Sequence, residues 1–445
     1  MIERLVLFGA TGDLAGRYLF PALAALFAGG DFPEGFAVTG AAREDLDDES
    51  FRLSVQEALS EHADHVPEAA RHRLLGSLRY RAVDVGDAAS VASLVGGAEG
   101  PVAAYLALPP QVFPTAVKAL GEAGLPDGSR IVLEKPFGED LDSAIELDRL
   151  LADVTGEAGE RAVFRVDHVL GMANAQNLLA LRRNRVLDAV WNGGHVEQVE
   201  ILWEETLALE GRAGYFDGAG ALKDVLQNHM LQVLCLVAME PPVNGGEEEL
   251  RDRKVEVLRS ARAVSSRRAR YGAGRLSGKP GAGDTSVPDY AEEDGVDPAR
   301  ETETFCEVTL ALDSDQWRNT SFVLRAGKAL RRTRKGVVLR FRAGRSGVPN
   351  ELWIGVDGPN DMVLRLWGDS FGKSEQLELI GEPAAAALPP YARVLLDVLT
   401  GGCALSVRGD EAEWSWRVVT PVLEDWRAGR VPLEEYPAGS DGPVR

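Results

Sequence analysis

At 445 residues the chain is longer than one hydrophobic core usually serves, so two domains are expected. Forty-eight basic against 69 acidic residues leave a formal charge of −21, which disfavours nucleic acid and anionic membranes as partners while leaving room for a local basic pocket. Cys235, Cys306 and Cys403 are too scattered for a disulfide framework or a zinc site. The N-terminus lacks a signal-peptide pattern and Met230–Met239 is too short to cross a bilayer, so a cytoplasmic setting is expected.

Residues 1–165 alternate short apolar runs with helical patterns, the rhythm of a parallel sheet covered by helices. Strands are predicted at Arg4–Phe8, Phe36–Gly40, Val102–Ala107 and Ile131–Glu134, with helical spacing over Tyr18–Phe27 and Val112–Ala123. After the first strand comes Gly9-Ala10-Thr11-Gly12-Asp13-Leu14-Ala15, a variant of the dinucleotide fingerprint with small residues at its first, fourth and seventh positions. Such a turn lets backbone N–H groups reach a pyrophosphate at a helix N-terminus; a plain strand-to-helix turn is the other reading. Beyond the second strand, Gly40-Ala41-Ala42 is followed by Arg43, where an arginine accommodates the NADP 2′-phosphate and an acidic residue would hold the NAD ribose. Arg43 favours NADP, with NAD still compatible; a solvated arginine offset by Glu44 and Asp45 is the alternative.

From 166 the pattern changes to long helical stretches, Asn174–Leu187 and Gly220–Met239, and then strand-like runs at Phe305–Leu312, Thr320–Arg325, Gly336–Arg342 and Met362–Leu366. An α+β domain with a large, mainly antiparallel sheet is expected over 166–445. Pro241–Lys254 and Gly272–Arg300 are poor in core residues and read as long loops or lids.

Of six histidines, His62, His65 and His72 fall in a polar helical stretch and His195 follows Gly193-Gly194, but His168 and His229 lie in denser settings. Oxidising an alcohol or hemiacetal needs a base for the hydroxyl proton as hydride leaves carbon, and histidine titrates in the right range. A carboxylate on the other ring nitrogen would fix its tautomer, which makes Asp167 a candidate orienter of His229. Taken alone, both residues are equally readable as hydrogen-bonded core groups.

The motifs form a recognisable series. Gly9 to Ala15, Leu106-Ala107-Leu108-Pro109-Pro110, Leu133-Glu134-Lys135-Pro136-Phe137-Gly138, Arg165-Val166-Asp167-His168 and Glu210-Gly211-Arg212 come first in chain order. Gly214-Tyr215-Phe216-Asp217, Asp224 to His229, Leu324-Arg325-Ala326-Gly327-Lys328 and Tyr436-Pro437-Ala438-Gly439 follow. Together they resemble the glucose-6-phosphate dehydrogenase family over essentially the whole chain. The resemblance implies an α/β Rossmann NADP-binding domain (1–165) joined to an α+β substrate-binding and dimerisation domain (166–445), assembled as a homodimer or homotetramer. It implies oxidation of glucose 6-phosphate at C1 to the lactone, in the pentose phosphate branch of carbohydrate metabolism, with no metal. His229 would be the base, Asp167 its partner and Lys135 a contact between substrate and nicotinamide. Glu205 and Asp224 would accept hydrogen bonds from sugar hydroxyls, while His168 and Lys328 would face the 6-phosphate. Gly9, Thr11, Gly12, Asp13, Leu14, Arg43, Pro109 and Lys135 would bind the cofactor.

One departure bears on the substrate. Where the family has Asp-His-Tyr-Leu-Gly-Lys, this chain has Asp167-His168-Val169-Leu170-Gly171-Met172, and neither valine nor methionine donates a strong hydrogen bond to a phosphate. Either other cations such as Arg331, Arg332 or Arg334 take over that contact, or the sugar is an unphosphorylated or differently substituted aldose such as glucose. A sugar- or nucleotide-binding regulator without turnover is a further reading, opposed by the joint presence of Lys135, Asp167 and His229. The cofactor loop also departs, with Gly16-Arg17-Tyr18 where the family has a basic run.

Overall fold

A computed structural model of the chain describes every residue except 31, 33–34, 97–99, 210, 212, 277–283, 345–346, 359–360, 371–372, 382–386 and 445. The motif Glu210-Gly211-Arg212 therefore lies largely outside the described residues, as does the centre of Gly272–Arg300.

Short apolar runs bounded by turns become the strands β1 (Arg4–Phe8), β2 (Ala37–Ala42), β3 (Leu78–Ala82), β4 (Val102–Leu106), β5 (Arg130–Glu134) and β6 (Val163–Val166). Every position of β4, β5 and β6 is buried, the signature of a parallel sheet covered on both faces. The spatial order is β6-β5-β4-β1-β2-β3, all parallel, with the two-residue strand Ser406–Val407 added antiparallel to β6. The chain leaves β1 for β2 on one side, and β4 pairs on the other. That reversal opens a crevice at the carboxyl ends of β1 and β4, where open α/β sheets take their ligands.

The chain packs as two units, the first comprising Met1–Met172, Asn244–Arg251 and Ala386–Glu413. It differs from the expected 1–165 because the helix Pro390–Thr400 buries Tyr391, Val394, Leu395, Val398 and Leu399 in the same core as Leu5, Leu7, Phe20 and Leu23. Arg130, on β5, fastens the end of that helix by donating to the carbonyls of Val398, Gly401 and Gly402 at 3.3, 2.9 and 2.6 Å.

The second unit comprises Ala173–Val243, Asp252–Ala385 and Trp414–Arg445. Its strands are β7 (Val196–Glu204), β8 (Ala261–Gly272), β9 (Gly274–Leu276), β10 (Thr285–Val287), β11 (Phe305–Leu312), β12 (Ser321–Gly327), β13 (Arg334–Phe341), β14 (Glu351–Gly355), β15 (Met362–Ser370) and β16 (Lys373–Gly381). Among the described residues nine strands form one sheet in the order β16-β15-β14-β13-β7-β12-β11-β8 followed by Leu433–Pro437. β7 runs parallel to β12 and Leu433–Pro437 parallel to β8, while the remaining neighbours are antiparallel.

Several expected elements take a different form. Asn174–Leu187 is two helices, Ala173–Arg182 and Arg185–Asp188, because Asn184 ends one run and caps the next. Gly220–Met239 is broken at its first residue: Gly220, inside the helix Ala213–Ala221, has φ 71°, and a Cβ there would lie 2.5 Å from Glu303 Oε1. Leu222–Met230 is then wound as a π-helix that continues into the α-helix Leu231–Ala238. Pro241–Lys254 is not a core-poor loop, since the helix Glu247–Ser260 starts within it. Its acidic first turn suits a helix N-terminus, and Arg251, fully buried, is neutralised by Glu160 at 3.2 Å. Gly272–Arg300 contains the β9–β10 hairpin and is pinned by buried Tyr290, whose hydroxyl donates to Asp217 at 2.8 Å.

Candidate active site

In the first unit, the Gly9 turn leaves β1 with its N–H donating to Ala41 O at 2.8 Å, and Gly12 N–H donates back to Gly9 O at 3.0 Å. Gly9 has φ 78°, and a Cβ there would meet Ala107 O at 2.1 Å, so only glycine lets this loop and the turn after β4 lie side by side. The loop leads into the helix opened by Asp13 and Leu14, and its close backbone approach fits a dinucleotide pyrophosphate. Thr11 donates to Glu44 at 3.0 Å, Arg43 is exposed just past the end of β2, and Pro109 is exposed past the end of β4. These seven loop and strand-end positions expected to hold the cofactor thus occupy the carboxyl edge of this sheet.

Lys135 follows β5 directly, in a turn where Lys135–Pro136 is cis and Gly138 lies against the start of the helix Leu141–Thr155. Asp167 follows β6. It is fully buried, and its Oδ1 accepts from Val169 N–H at 3.1 Å, capping the 3-10 turn His168–Gly171. Val169 and Met172 are 0% and 7% exposed and are taken up in packing, whereas half-buried His168 stacks its ring on Tyr391 at 5.4 Å.

Between these positions lies a group that the motifs did not single out by role. Glu134 is buried and accepts hydrogen bonds from the hydroxyls of Tyr105 and Tyr391. Burial raises its carboxyl from the ordinary 4.5 to about 7; the Tyr105 hydroxyl and Lys135 oppose the rise, and Asp167 adds to it. The folded chain therefore holds this proton more tightly than the unfolded chain. The stability it contributes is complete below about pH 4.5 and is lost as the pH climbs through about 7. Glu134→Gln keeps an acceptor for the tyrosines and abolishes the titration. It should flatten the decline in unfolding free energy between about pH 5 and pH 8 by about 1–3 kcal/mol, measured by denaturant unfolding. Equal slopes in the two proteins would mean that Glu134 is not the source.

In the second unit, Glu205 extends β7 by one residue. Its N–H donates to Gly327 O at 2.8 Å and its carbonyl accepts from Leu330 N–H at 2.9 Å, which brings the turn carrying Lys328 alongside. Lys328 and Lys335 each place Nζ 2.9 Å from a Glu205 oxygen, and Lys335 also reaches Asp357 at 2.9 Å. Burial would raise the Glu205 carboxyl, but the two ammonium groups outweigh it and hold the group at about 2, so it is a permanent acceptor. Lys335 had no place among the expected site residues, although a signal existed. β7 ends at Glu204, followed by Glu205, and its antiparallel neighbour β13 begins Arg334-Lys335, which pair with those two carboxylates.

Asp224 and His229 both lie on the π-helix, Asp224 half-buried and His229 4% exposed with its ring stacked on Trp203 at 5.5 Å. The three arginines named as alternative phosphate contacts each have an acidic neighbour. Arg334 grips buried Glu204 at 2.6 and 3.0 Å, and exposed Arg331 and Arg332 face Asp441 at 3.6 and 3.8 Å.

Both units match known proteins. The family model described as "Glucose-6-phosphate dehydrogenase, NAD binding domain" matches residues 6–177, and "Glucose-6-phosphate dehydrogenase, C-terminal domain" matches 179–445. The chain belongs to the glucose-6-phosphate dehydrogenase family. It is 35% identical to glucose-6-phosphate 1-dehydrogenase of Treponema pallidum and 36% identical to that of Mycolicibacterium smegmatis; each comparison covers 99% of this chain, and 92% and 94% of those proteins. A solved structure of a glucose-6-phosphate dehydrogenase in complex with glucose 6-phosphate superimposes with a TM-score of 0.89 at 30% identity, covering 99% of this chain and 95% of that one. In this member of the glucose-6-phosphate dehydrogenase family Val169 and Met172 are buried, and Glu205 is paired with two lysines. Among its described residues no helix is long and apolar enough to cross a membrane.

Proposed function

We propose that this protein is a cytoplasmic NADP-linked dehydrogenase that oxidises glucose 6-phosphate at C1 to the 6-phosphoglucono-lactone. The observation that carries the reading is membership of the family over both domains, with each expected site residue standing at a strand end or on the base-bearing helix. In this reading His229 removes the proton of the C1 hydroxyl as C1 gives up hydride, and Asp167 orients the imidazole and balances its charge. NADP, when bound, supplies the hydride acceptor. Gly9, Thr11, Gly12, Asp13, Leu14 and Pro109 would hold it, Arg43 would meet its 2′-phosphate, and Lys135 would lie between it and the sugar. Glu205, kept ionised by Lys328 and Lys335, and Asp224 accept hydrogen bonds from the sugar hydroxyls.

With Val169 and Met172 lacking donors, His168, Lys328 and Lys335 are assigned the 6-phosphate. Assembly as a homodimer or homotetramer through the large sheet belongs to the same reading. It is supported by Leu377, Leu379 and Ile380, which leave 55%, 50% and 68% of their surface exposed on edge strand β16.

Initial rates with glucose 6-phosphate and glucose, each with NADP and NAD, test the assignment. Glucose 6-phosphate with NADP should give the highest kcat/KM, by at least about 10²-fold over glucose, as two or three charge-assisted phosphate contacts require. Equal rates with glucose would overturn the phosphate assignment and favour the unphosphorylated aldose that Val169 and Met172 point toward.

A further inference from the structure

The Tyr436-Pro437-Ala438-Gly439 motif has no place in the chemistry above, yet it lies in the second unit against the turn that carries Lys328. Buried Tyr436 donates to Lys328 O at 2.7 Å and pairs with Thr304 Oγ1 at 2.9 Å. Gly439 N–H donates to Ala329 O at 2.8 Å, and Arg331 N–H donates to Ser440 O at 2.8 Å. The C-terminal segment thus grips the backbone at three points, Lys328, Ala329 and Arg331, at and around a residue with φ 50°, Ala329, a conformation that a non-glycine residue keeps only when its surroundings enforce it.

Thr304 carries the grip further. Its carbonyl accepts Lys328 N–H at 3.0 Å, so side chain and backbone both bear on the lysine turn. Its neighbour Glu303 holds the start of the base-bearing helix: Glu303 Oε1 accepts Leu222 N–H at 3.0 Å, and Glu303 O accepts Ala221 N–H at 3.1 Å. Gly220 leaves room for that carboxylate, which would collide with any side chain there. Two adjacent residues, buried and fully engaged, therefore tie the Lys328 turn to the helix that bears Asp224 and His229.

We propose that Glu303, Thr304 and Tyr436 form a clamp of positioning residues that sets the spacing between the base-bearing helix and the lysine turn, so that a phosphorylated sugar meets His229 and Lys328 together. The proposal rests on the function argued above. Tyr436 acts on affinity through Lys328, and Glu303 acts on turnover through the helix. None of the three touches the substrate.

The test uses the full-length protein with glucose 6-phosphate and NADP. Tyr436→Phe keeps the ring against Phe305, 5.9 Å away, and removes only the hydroxyl. It should raise KM for glucose 6-phosphate about five- to tenfold, with KM for NADP changed less than about twofold. Glu303→Ala should lower kcat about tenfold or more, and Glu303→Gln, whose amide oxygen still accepts Leu222 N–H, should restore most of it. Thermal unfolding is followed in parallel. Folded Tyr436→Phe protein with an unchanged KM for the sugar, or a rise in both KM values together, overturns the clamp, as does a Glu303→Gln variant no better than Glu303→Ala. An unmodified protein inactive on glucose 6-phosphate is a different result: it overturns the function itself and takes the clamp with it.

Discussion

Replacing His229 by asparagine should lower kcat for C1 oxidation by about 10²–10⁴-fold, the range that general-base catalysis supplies, with KM for both substrates changed only modestly. Asn228, the neighbour of His229, already spends its side chain on the backbone, accepting from His229 N–H at 2.7 Å. Asparagine retains a polar side chain of smaller volume, and the stacked Trp203 keeps one wall of the site in place. The check is NADPH formation under saturating substrates beside a circular-dichroism spectrum of the variant. A folded His229→Asn protein that keeps more than about a tenth of the unmodified kcat would end the assignment of this residue as base.

Asp167→Asn should cost about 10²-fold in kcat. The substitution preserves the Oδ1 that caps the His168–Gly171 turn, so the local fold should survive. What changes is the second oxygen, which becomes an amide donor: it can no longer accept from an imidazole N–H, and the wrong tautomer is favoured. If, as proposed, base and orienter act as one unit, the double variant with His229→Asn should be no slower than His229→Asn alone. Multiplied losses in the double variant would show that Asp167 works apart from His229, and its role would have to be reassigned.

The first sheet was readable from the sequence because its strands are short, apolar and set off by turns, and because Gly9 marks a strand exit that must approach another backbone. The second unit was harder. β7, with Glu197, Glu200 and Glu204 among its nine residues, has no clean apolar run, yet it is a central strand whose buried Glu200 and Glu204 meet Arg340 and Arg334 across the sheet. The helix Glu247–Ser260 was hidden for the same reason. Its buried positions include Arg251 and Lys254, which polarity alone assigns to a surface loop. Motif order pointed to a candidate base, a candidate orienter and candidate sugar-binding carboxylates, whereas Lys335 and Glu134 stand out through their three-dimensional neighbours: a carboxylate shared with Lys328 in one case, two tyrosine hydroxyls in the other.

The helix Pro390–Thr400 has a consequence for biosynthesis. The core of the nucleotide-binding unit is left open until residues near 400 have been made, so the N-terminal sheet emerges from the ribosome with Phe20, Leu23 and their neighbours still lacking part of their covering. The nascent chain must keep that greasy flank from self-association until translation is nearly complete. A premature stop well before this helix would thus spoil the half of the molecule whose parallel strands are encoded far upstream.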